Sequence, residues 1–281
     1  MLGGARVAVV VPARDEERLI RTTLVGIPTF VDHVVVVDDG SRDRTAQRVR
    51  EGGDPRVELL RHRTTRGVGA ALVSGYARAF ERGAGVAAVM AGDGQMDPAD
   101  LASVLAPAVE GRADYVKGDR LSHGSARSAM PTERWLANHV LTRLTRLATG
   151  VRLTDSQCGY TALTRSAAER LPLGRLWAAY GYPNDLLSLA ATHGLRVAEV
   201  VVRPVYGEEE SGLGLREALR CLPPVLARAS WRRARAWARV RDGDDDRPAA
   251  RRRRAAVDRA RWPGRAASTR APWPDGTAAP Y

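Results

Sequence analysis

Three oxygen-bearing side chains stand close together where an apolar run gives out: Asp93, Gln95 and Asp97 in "MAGDGQMDP", directly after "GVAAV". A carboxylate with a carbonyl-bearing side chain two residues on, in a glycine-loosened loop, offers hard oxygen ligands for Mg²⁺ or Mn²⁺. A cation held by so few protein ligands completes its shell with water and substrate phosphates. Taken alone, an Asp-Gly pair in a loop is more often a plain turn. A second cluster, "VVDDGS", ends the run Val34 to Val37 and by itself reads as a turn leading to a helix cap at Ser41 or Asp43. A third, Arg14-Asp15-Glu16, follows "ARVAVVVPA". Asp97 directly precedes Pro98 and reads as the cap of a helix that the proline opens.

The elements that must hold these clusters alternate. "ARVAVVVPA" is a β-rich run, "DEERLIRTTLVGI" has helical spacing, and "HVVVVDDGS" is a strand ending in turn residues. The pattern continues through "RVELLRH", a helix from Val68 to Arg82, "GVAAVMAGDG", the Pro98 helix and "ADYVKGDR". A run such as Val34 to Val37, apolar at every position, suits a parallel strand covered on both faces. The fold class is therefore α/β, with an open, mostly parallel sheet whose ligands bind beyond the carboxyl ends of its strands. Three strands in succession end in polar clusters, which predicts that the clusters converge on one crevice. "ERWLANHVLTRLTRLATG" reads as helical, "DSQCGYTALTR" interrupts the pattern, "YPNDLLSLAATHG" is helical again, and "LRVAEVVVRPVY" is a last strand. A basic, imperfectly amphipathic helical stretch from Leu215 to Arg241 reads as broken at Pro223-Pro224.

The chain has 281 residues, of which 44% are hydrophobic, enough for a substantial core and against disorder throughout. No stretch reaches the roughly 18 to 20 apolar residues of a membrane span, and the first residues lack a signal-peptide pattern. A cytoplasmic protein is the expectation, with a peripheral position at the inner face of the membrane as the alternative. Cys158 and Cys221 stand far apart without Cys or His at ligand spacing, which argues against disulfide and zinc. The formal charge is +12, yet residues 228–281 alone hold 15 Arg against 6 Asp. The basic excess thus belongs to the end of the chain. Lys117 is the sole lysine among 44 basic residues, which reads as a compositional bias toward arginine.

Eight motifs occur in the order "VVVPARDEE", "VVVVDDGSRDRT", "RGVGAALVSGY", "GDGQMDP", "GDR", "DSQCGYTAL", "YGYPNDLL" and "RPVYGEEESGL". In this set the chain resembles the inverting family-two glycosyltransferases of GT-A fold, and among them the polyprenyl-phosphate sugar transferases. The resemblance runs from about Val7 to Leu213. It implies a GT-A (Rossmann-like) domain over 1–213, followed by a basic helical extension at 214–241 and an Arg/Pro/Asp-rich disordered tail at 242–281. It implies that Pro12, Arg14, Glu16 and Asp39 line the nucleotide, that Asp93 and Gln95 hold an Mg²⁺ or Mn²⁺ ion on the donor diphosphate, and that Arg203 approaches the donor phosphates. Arg120 and Arg134 match the acceptor's phosphate-binding arginines, with Asn138 on the same helix face as Arg134. Asp155, Gln157 and Asp185 match the region lining the sugar and acceptor side. Two positions depart from the pattern: Arg14 stands where the family often has Tyr, and Ala91 replaces the first Asp of the metal motif.

The implied partners are a nucleoside-diphosphate sugar and a lipid-phosphate or small-molecule acceptor. A phosphate acceptor is already ionised at neutral pH and needs arginines to place it. A hydroxyl acceptor needs a general base, for which Asp185 and Asp155 are the candidates. Trp231 and Trp237 among the arginines of the last helix suit an anionic membrane surface, or else a helix packed on the domain with a solvated basic face. Nucleic-acid binding by the Arg-rich tail is the weaker reading, since no recognition motif accompanies it.

Overall fold

The computed structural model describes residues 1–206 and 215–241. The predicted tail at 242–281 and the end of the "RPVYGEEESGL" motif, 207–214, lie outside them. In chain order the elements are β1 (Val7–Ala13), α1 (Ile20–Gly26), β2 (His33–Asp38), α2 (Thr45–Glu51), β3 (Val57–Arg61), α3 (Val68–Glu81), β4 (Val86–Val89), α4 (Leu101–Val109), β5 (Tyr115–Asp119), α5 (Ala126–Ala129), α6 (Thr132–Thr149), β6 (Thr161–Thr164), α7 (Arg165–Arg170), α8 (Tyr182–Thr192), β7 (Val197–Val201) and α9 (Leu215–Arg241).

The strands form one seven-stranded sheet in the order β3-β2-β1-β4-β6-β5-β7. All run parallel except β6, which is antiparallel to both β4 and β5. Side chains of a strand alternate between faces. Ala8 and Val10 of β1 therefore pack with Leu72, Tyr76 and Leu186 on one side, while Val7, Val9 and Val11 pack with Ile20, Leu101 and Leu105 on the other. Both faces are covered, as the continuous apolar strands require. The strand β6 was not predicted: it is four residues long and emerges from the polar stretch "DSQCGY".

Helix α3 approaches β1 closely because Gly75 has no side chain; a Cβ there would lie 2.2 Å from Val10 Cγ1. The predicted break at Pro223-Pro224 does not occur. Helix α9 runs through both prolines, and burial of Leu222, Val225 and Ala229 offsets the lost backbone bonds. Its described side chains pack against α6 and α8. Among the described residues no helix is long and apolar enough to cross a membrane.

On β3, Glu58 accepts bonds from Arg78 and Arg82 of α3's carboxyl end, which together hold its carboxyl down at about 2 from the ordinary 4.5. A depressed carboxyl stabilises the fold fully above its unfolded value and loses that contribution as pH falls through the folded one. We predict that Glu58→Gln costs roughly 1 kcal/mol at pH 7, and that urea unfolding shows the gap narrowing below pH 4.5. Gly75→Ala is expected to cost about 1–3 kcal/mol by overpacking. Adding Val10→Ala should recover part of that loss, a non-additivity that a double-mutant cycle measures.

Candidate active site

The carboxyl ends of β1, β2, β4 and β5 lie along one edge of the sheet, and the loops leaving them are tied to one another. Residue 15 takes the left-handed conformation, φ 56°, unusual for a non-glycine residue. The Asp15 N–H donates to Ser41 Oγ, Glu16 N–H to Thr45 Oγ1, and Glu17 N–H to Asp43 Oδ2. Of the two expected caps, Asp43 takes the N–H of Thr45, the first residue of α2, while Ser41 reaches across to the β1 loop. Asp97 caps as expected, its Oδ1 accepting from the Ala99 N–H.

The first half of this edge is acidic. Burial, and then the charges of Asp93, Asp43 and Asp15, push the Glu16 carboxyl up to about 7. Carboxylates crowded so that they raise the Glu16 carboxyl form a setting that a divalent cation relieves. Asp93 Oδ1 accepts from the Gln95 N–H at 3.0 Å, which folds the loop tightly around Gly94 at φ +72°. Among the described residues no three His, Cys, Asp or Glu side chains converge as a ready cage. A cation at this edge would draw further oxygen atoms from outside the chain, as Mg²⁺ sites on phosphate substrates do.

Asp39 is buried and committed inward. Its carboxylate accepts from His62 Nδ1 at 2.7 Å and from the N–H groups of Arg66 and Gly67 at 2.9 and 2.7 Å. Desolvation would raise it, and these bonds outweigh that and lower it. It fastens the loop before α3. The buried Pro12 receives the Gly92 N–H, and Arg14 is exposed beside Asp15. Arg203 bridges to the same loop from β7's side, with Nη1 2.9 Å from Asp97 and its N–H on Asp100 Oδ2.

The second half is cationic and rests on a buried pair. Asp155 is fully buried. It accepts Arg120 Nε at 2.8 Å, Arg120 Nη2 at 3.2 Å, and the N–H groups of Gln157 and Cys158. Burial raises Asp155, yet the Arg120 charge outweighs it and keeps the carboxyl below its ordinary value. Burial likewise pulls Arg120 down, and Asp155 more than reverses this. Beneath them lies the buried Lys117, whose Nζ donates to Cys158 O at 2.6 Å and whose pKa burial lowers. The Glu199 carboxylate takes the N–H groups of Thr154 and Asp155. Arg120 Nη1 is 3.5 Å from Tyr206 Oη, a long contact, and the Arg134 guanidinium lies 5.1 Å from the Tyr206 ring centroid. Tyr206 therefore joins the two arginines that the motifs singled out.

Other predicted site residues are drawn inward. The Gln157 amide donates to Ser156 Oγ and Asn184 Oδ1, and Asn138 Nδ2 to Met130 Sδ, along a polar seam between α6 and α8. The reading of Asp185 as a candidate base meets a physical obstacle. Its fully buried carboxylate takes the Trp177 N–H at 2.9 Å and the Arg232 guanidinium, with Arg228 Nε at 3.7 Å. It clamps α9 to α8 and does not face the edge as a proton acceptor. Lys117, Glu199 and Tyr206 were missed as site-building residues. The signal for Lys117 was its uniqueness: an arginine-biased chain kept one lysine where a compact buried donor is needed.

A mostly parallel sheet with one antiparallel insertion, an acidic loop after β4 and a cationic cluster after β5 is the GT-A architecture. The chain belongs to glycosyl transferase family 2, whose family model matches residues 8–171. It is 32% identical to undecaprenyl-phosphate mannosyltransferase of Micrococcus luteus over 213 residues, 74% of this chain and 86% of that protein. It is 32% identical to polyprenol monophosphomannose synthase of Mycolicibacterium smegmatis over 195 residues, 66% and 73% of the respective lengths. Glucosyl-3-phosphoglycerate synthase from Mycobacterium tuberculosis, solved with Mn²⁺, UDP and glucosyl-3-phosphoglycerate, shares the fold with a TM-score of 0.61 at 21% identity, covering 81% of each chain.

Truncating Asp155 should expose the energetics of the pair. Asp155→Ala leaves the Arg120 guanidinium buried without its partner and is expected to cost about 3–5 kcal/mol in urea unfolding. Arg134→Ala, on the outer side of Tyr206, should stay within about 0.5 kcal/mol of the parent.

Proposed function

We propose that this glycosyltransferase moves a sugar from a nucleoside-diphosphate sugar to a polyprenyl-phosphate acceptor, with inversion at the anomeric carbon. The observation that carries the reading is the convergence of Arg120 and Arg134 on Tyr206, next to carboxylates that are not free to act as bases. An ionised phosphate needs guanidinium groups to bind and orient it and needs no base. A hydroxyl acceptor needs one, and the two candidates, Asp155 and Asp185, are each buried against arginine. The family relatives named for undecaprenyl and polyprenol phosphates support the same acceptor class.

In this reading an acceptor phosphate oxygen attacks the anomeric carbon from the face opposite the diphosphate. The bond from that carbon to the diphosphate oxygen breaks, and its electron pair leaves with the nucleoside diphosphate. Asp93 and Gln95 would hold a divalent cation, which supplies charge neutralisation to the diphosphate when bound. Arg203 adds a positive charge on the same side, released from Asp97 toward the phosphates. The loop around Arg14 and Glu16 flanks the nucleotide, and Asp39 supports that pocket by fastening the loop before α3. Ala91 leaves the acidic side one carboxylate short of the family's motif, so Asp93 and Gln95 would hold the cation together with the donor itself. The enzyme works peripherally at the membrane that carries its acceptor.

The test is transfer of radiolabelled sugar from UDP- and GDP-sugars onto a short-chain, water-soluble isoprenyl phosphate, with Mn²⁺ and with EDTA. We expect turnover with one donor class, lost in EDTA and in Asp93→Asn. Arg134→Ala should raise the acceptor KM roughly tenfold or more, a loss of one charge-assisted contact, while calorimetry shows donor affinity unchanged. Transfer to the matching isoprenol but not to the phosphate would overturn the reading.

A further inference from the structure

The arginines of helix α9 are not scattered over its surface. Residues 221–239 hold five arginines and no acidic residue, and four of the five, Arg228, Arg232, Arg235 and Arg239, recur at spacings of four, three and four. That spacing sets them on one face of the helix over about 16 Å. The face turns toward the carboxyl end of α8 and the 172–175 turn, where it closes a groove of about 360 Å³ walled by Arg175, His193 and Trp231. Like charges three and four residues apart on a helix repel one another. Among the described residues no carboxylate lines this groove, and the one beneath it, Asp185, is fully buried. With Arg175 counted, five guanidinium groups share a single counter-charge.

Ordinary surface arginines are loose, and an anion that gathers them must immobilise each long side chain. Here the fold has done most of that ordering. Arg232 donates to the Asp185 carboxylate, and its side chain is 14% exposed. Arg228 Nη2 donates to Arg175 O at 2.6 Å, with its Nε 3.7 Å from Asp185. The Arg235 guanidinium lies over the Trp231 ring, 4.6 Å from its centroid. A guanidinium carries five donors, so each of these groups keeps N–H bonds to give. Trp231, itself exposed, adds a flat apolar wall beside them.

We propose that this groove binds a soluble anion built from linked phosphate groups. A guanidinium fork matches a phosphate bidentately, and a row of forks on one helix face matches a chain of phosphates better than a single charge. The volume falls at the lower end of the range for small-molecule sites, which suits a ligand of nucleotide size. The site is separate from the edge that holds Asp93, Arg120 and Arg134. Helix α8 ends at Thr192 and feeds the amino end of β7, so the groove lies toward the amino ends of the strands and the edge at their carboxyl ends. The inference therefore does not rest on the acceptor reading. Asp242, Asp244, Asp245 and Asp246 follow α9 directly in the sequence and are the rival occupant.

Inorganic tripolyphosphate is titrated into the full chain by calorimetry in EDTA, which keeps divalent cations from Asp93 and Gln95. Saturable binding is expected, weakened roughly tenfold or more in Arg235→Gln with Arg239→Gln, two exposed positions whose exchange leaves the urea midpoint in place. Arg143→Gln with Arg233→Gln removes the same charge outside the groove and should bind as the parent does, as should Arg134→Ala. Absence of saturable binding would overturn the proposal. So would equal weakening in the two double variants, which shows diffuse attraction to net charge, or a loss that follows Arg134→Ala, which shows binding at the acceptor edge. Binding that appears only when Asp242→Asn, Asp244→Asn, Asp245→Asn and Asp246→Asn are combined would overturn it too, by showing the groove filled by the chain itself.

Discussion

Much of this molecule depends on keeping a carboxylate ionised where no water reaches it. Asp155 is tolerated in the core because Arg120 lies along it with two donors and the chain turns two N–H groups onto its free lone pair. A buried pair of this kind gains little stability over an apolar replacement, but removing either partner is costly. Its effect is to fix geometry. The Asp155 turn is pinned from below by Glu199 and Lys117, so the carboxyl ends of β5 and β7 and the amino end of the antiparallel β6 are held as one unit. Arg120 is left with one guanidinium corner facing Tyr206.

That arrangement divides the sheet edge by charge. Toward β1, β2 and β4 the carboxylates crowd, and Glu16 responds with a pKa near 7. Toward β5, β7 and α6 the guanidinium groups gather. A donor diphosphate with its cation suits the acidic side, and an anionic acceptor suits the cationic side. Arg203, paired with Asp97, stands at the boundary. Neutralising charge on both sides with preorganised groups is the cheapest way for such a site to favour a transition state in which charge moves from acceptor to leaving group.

The alternation of strand and helix, and the polar clusters where strands end, were legible because continuous valine runs have few other uses. The β6 strand was not, since four residues framed by polar ones carry no period, and its direction is set by its neighbours in the sheet. The continuity of α9 through Pro223-Pro224 was also hidden: tertiary burial of Leu222 and Val225 overrode the local penalty. Motif order pointed to Arg120 and Arg134, whereas the commitment of Asp185 to Arg232 depends on how α9 packs, which no local pattern encodes. Helix α6 misleads most. Its leucines look like a core stripe until the facing side is seen to be the polar seam of Ser156 and Asn184.

In the proposed function the cationic half of the edge is an acceptor-phosphate site. A crystal structure with a short-chain isoprenyl phosphate bound tests it most directly. The phosphate is predicted within hydrogen-bond distance of the Arg134 and Arg120 guanidinium groups, with Tyr206 between them and the Arg120–Asp155 pair intact. A phosphate bound instead at the β1 and β4 loops, or one that draws Arg120 away from Asp155, would contradict that assignment.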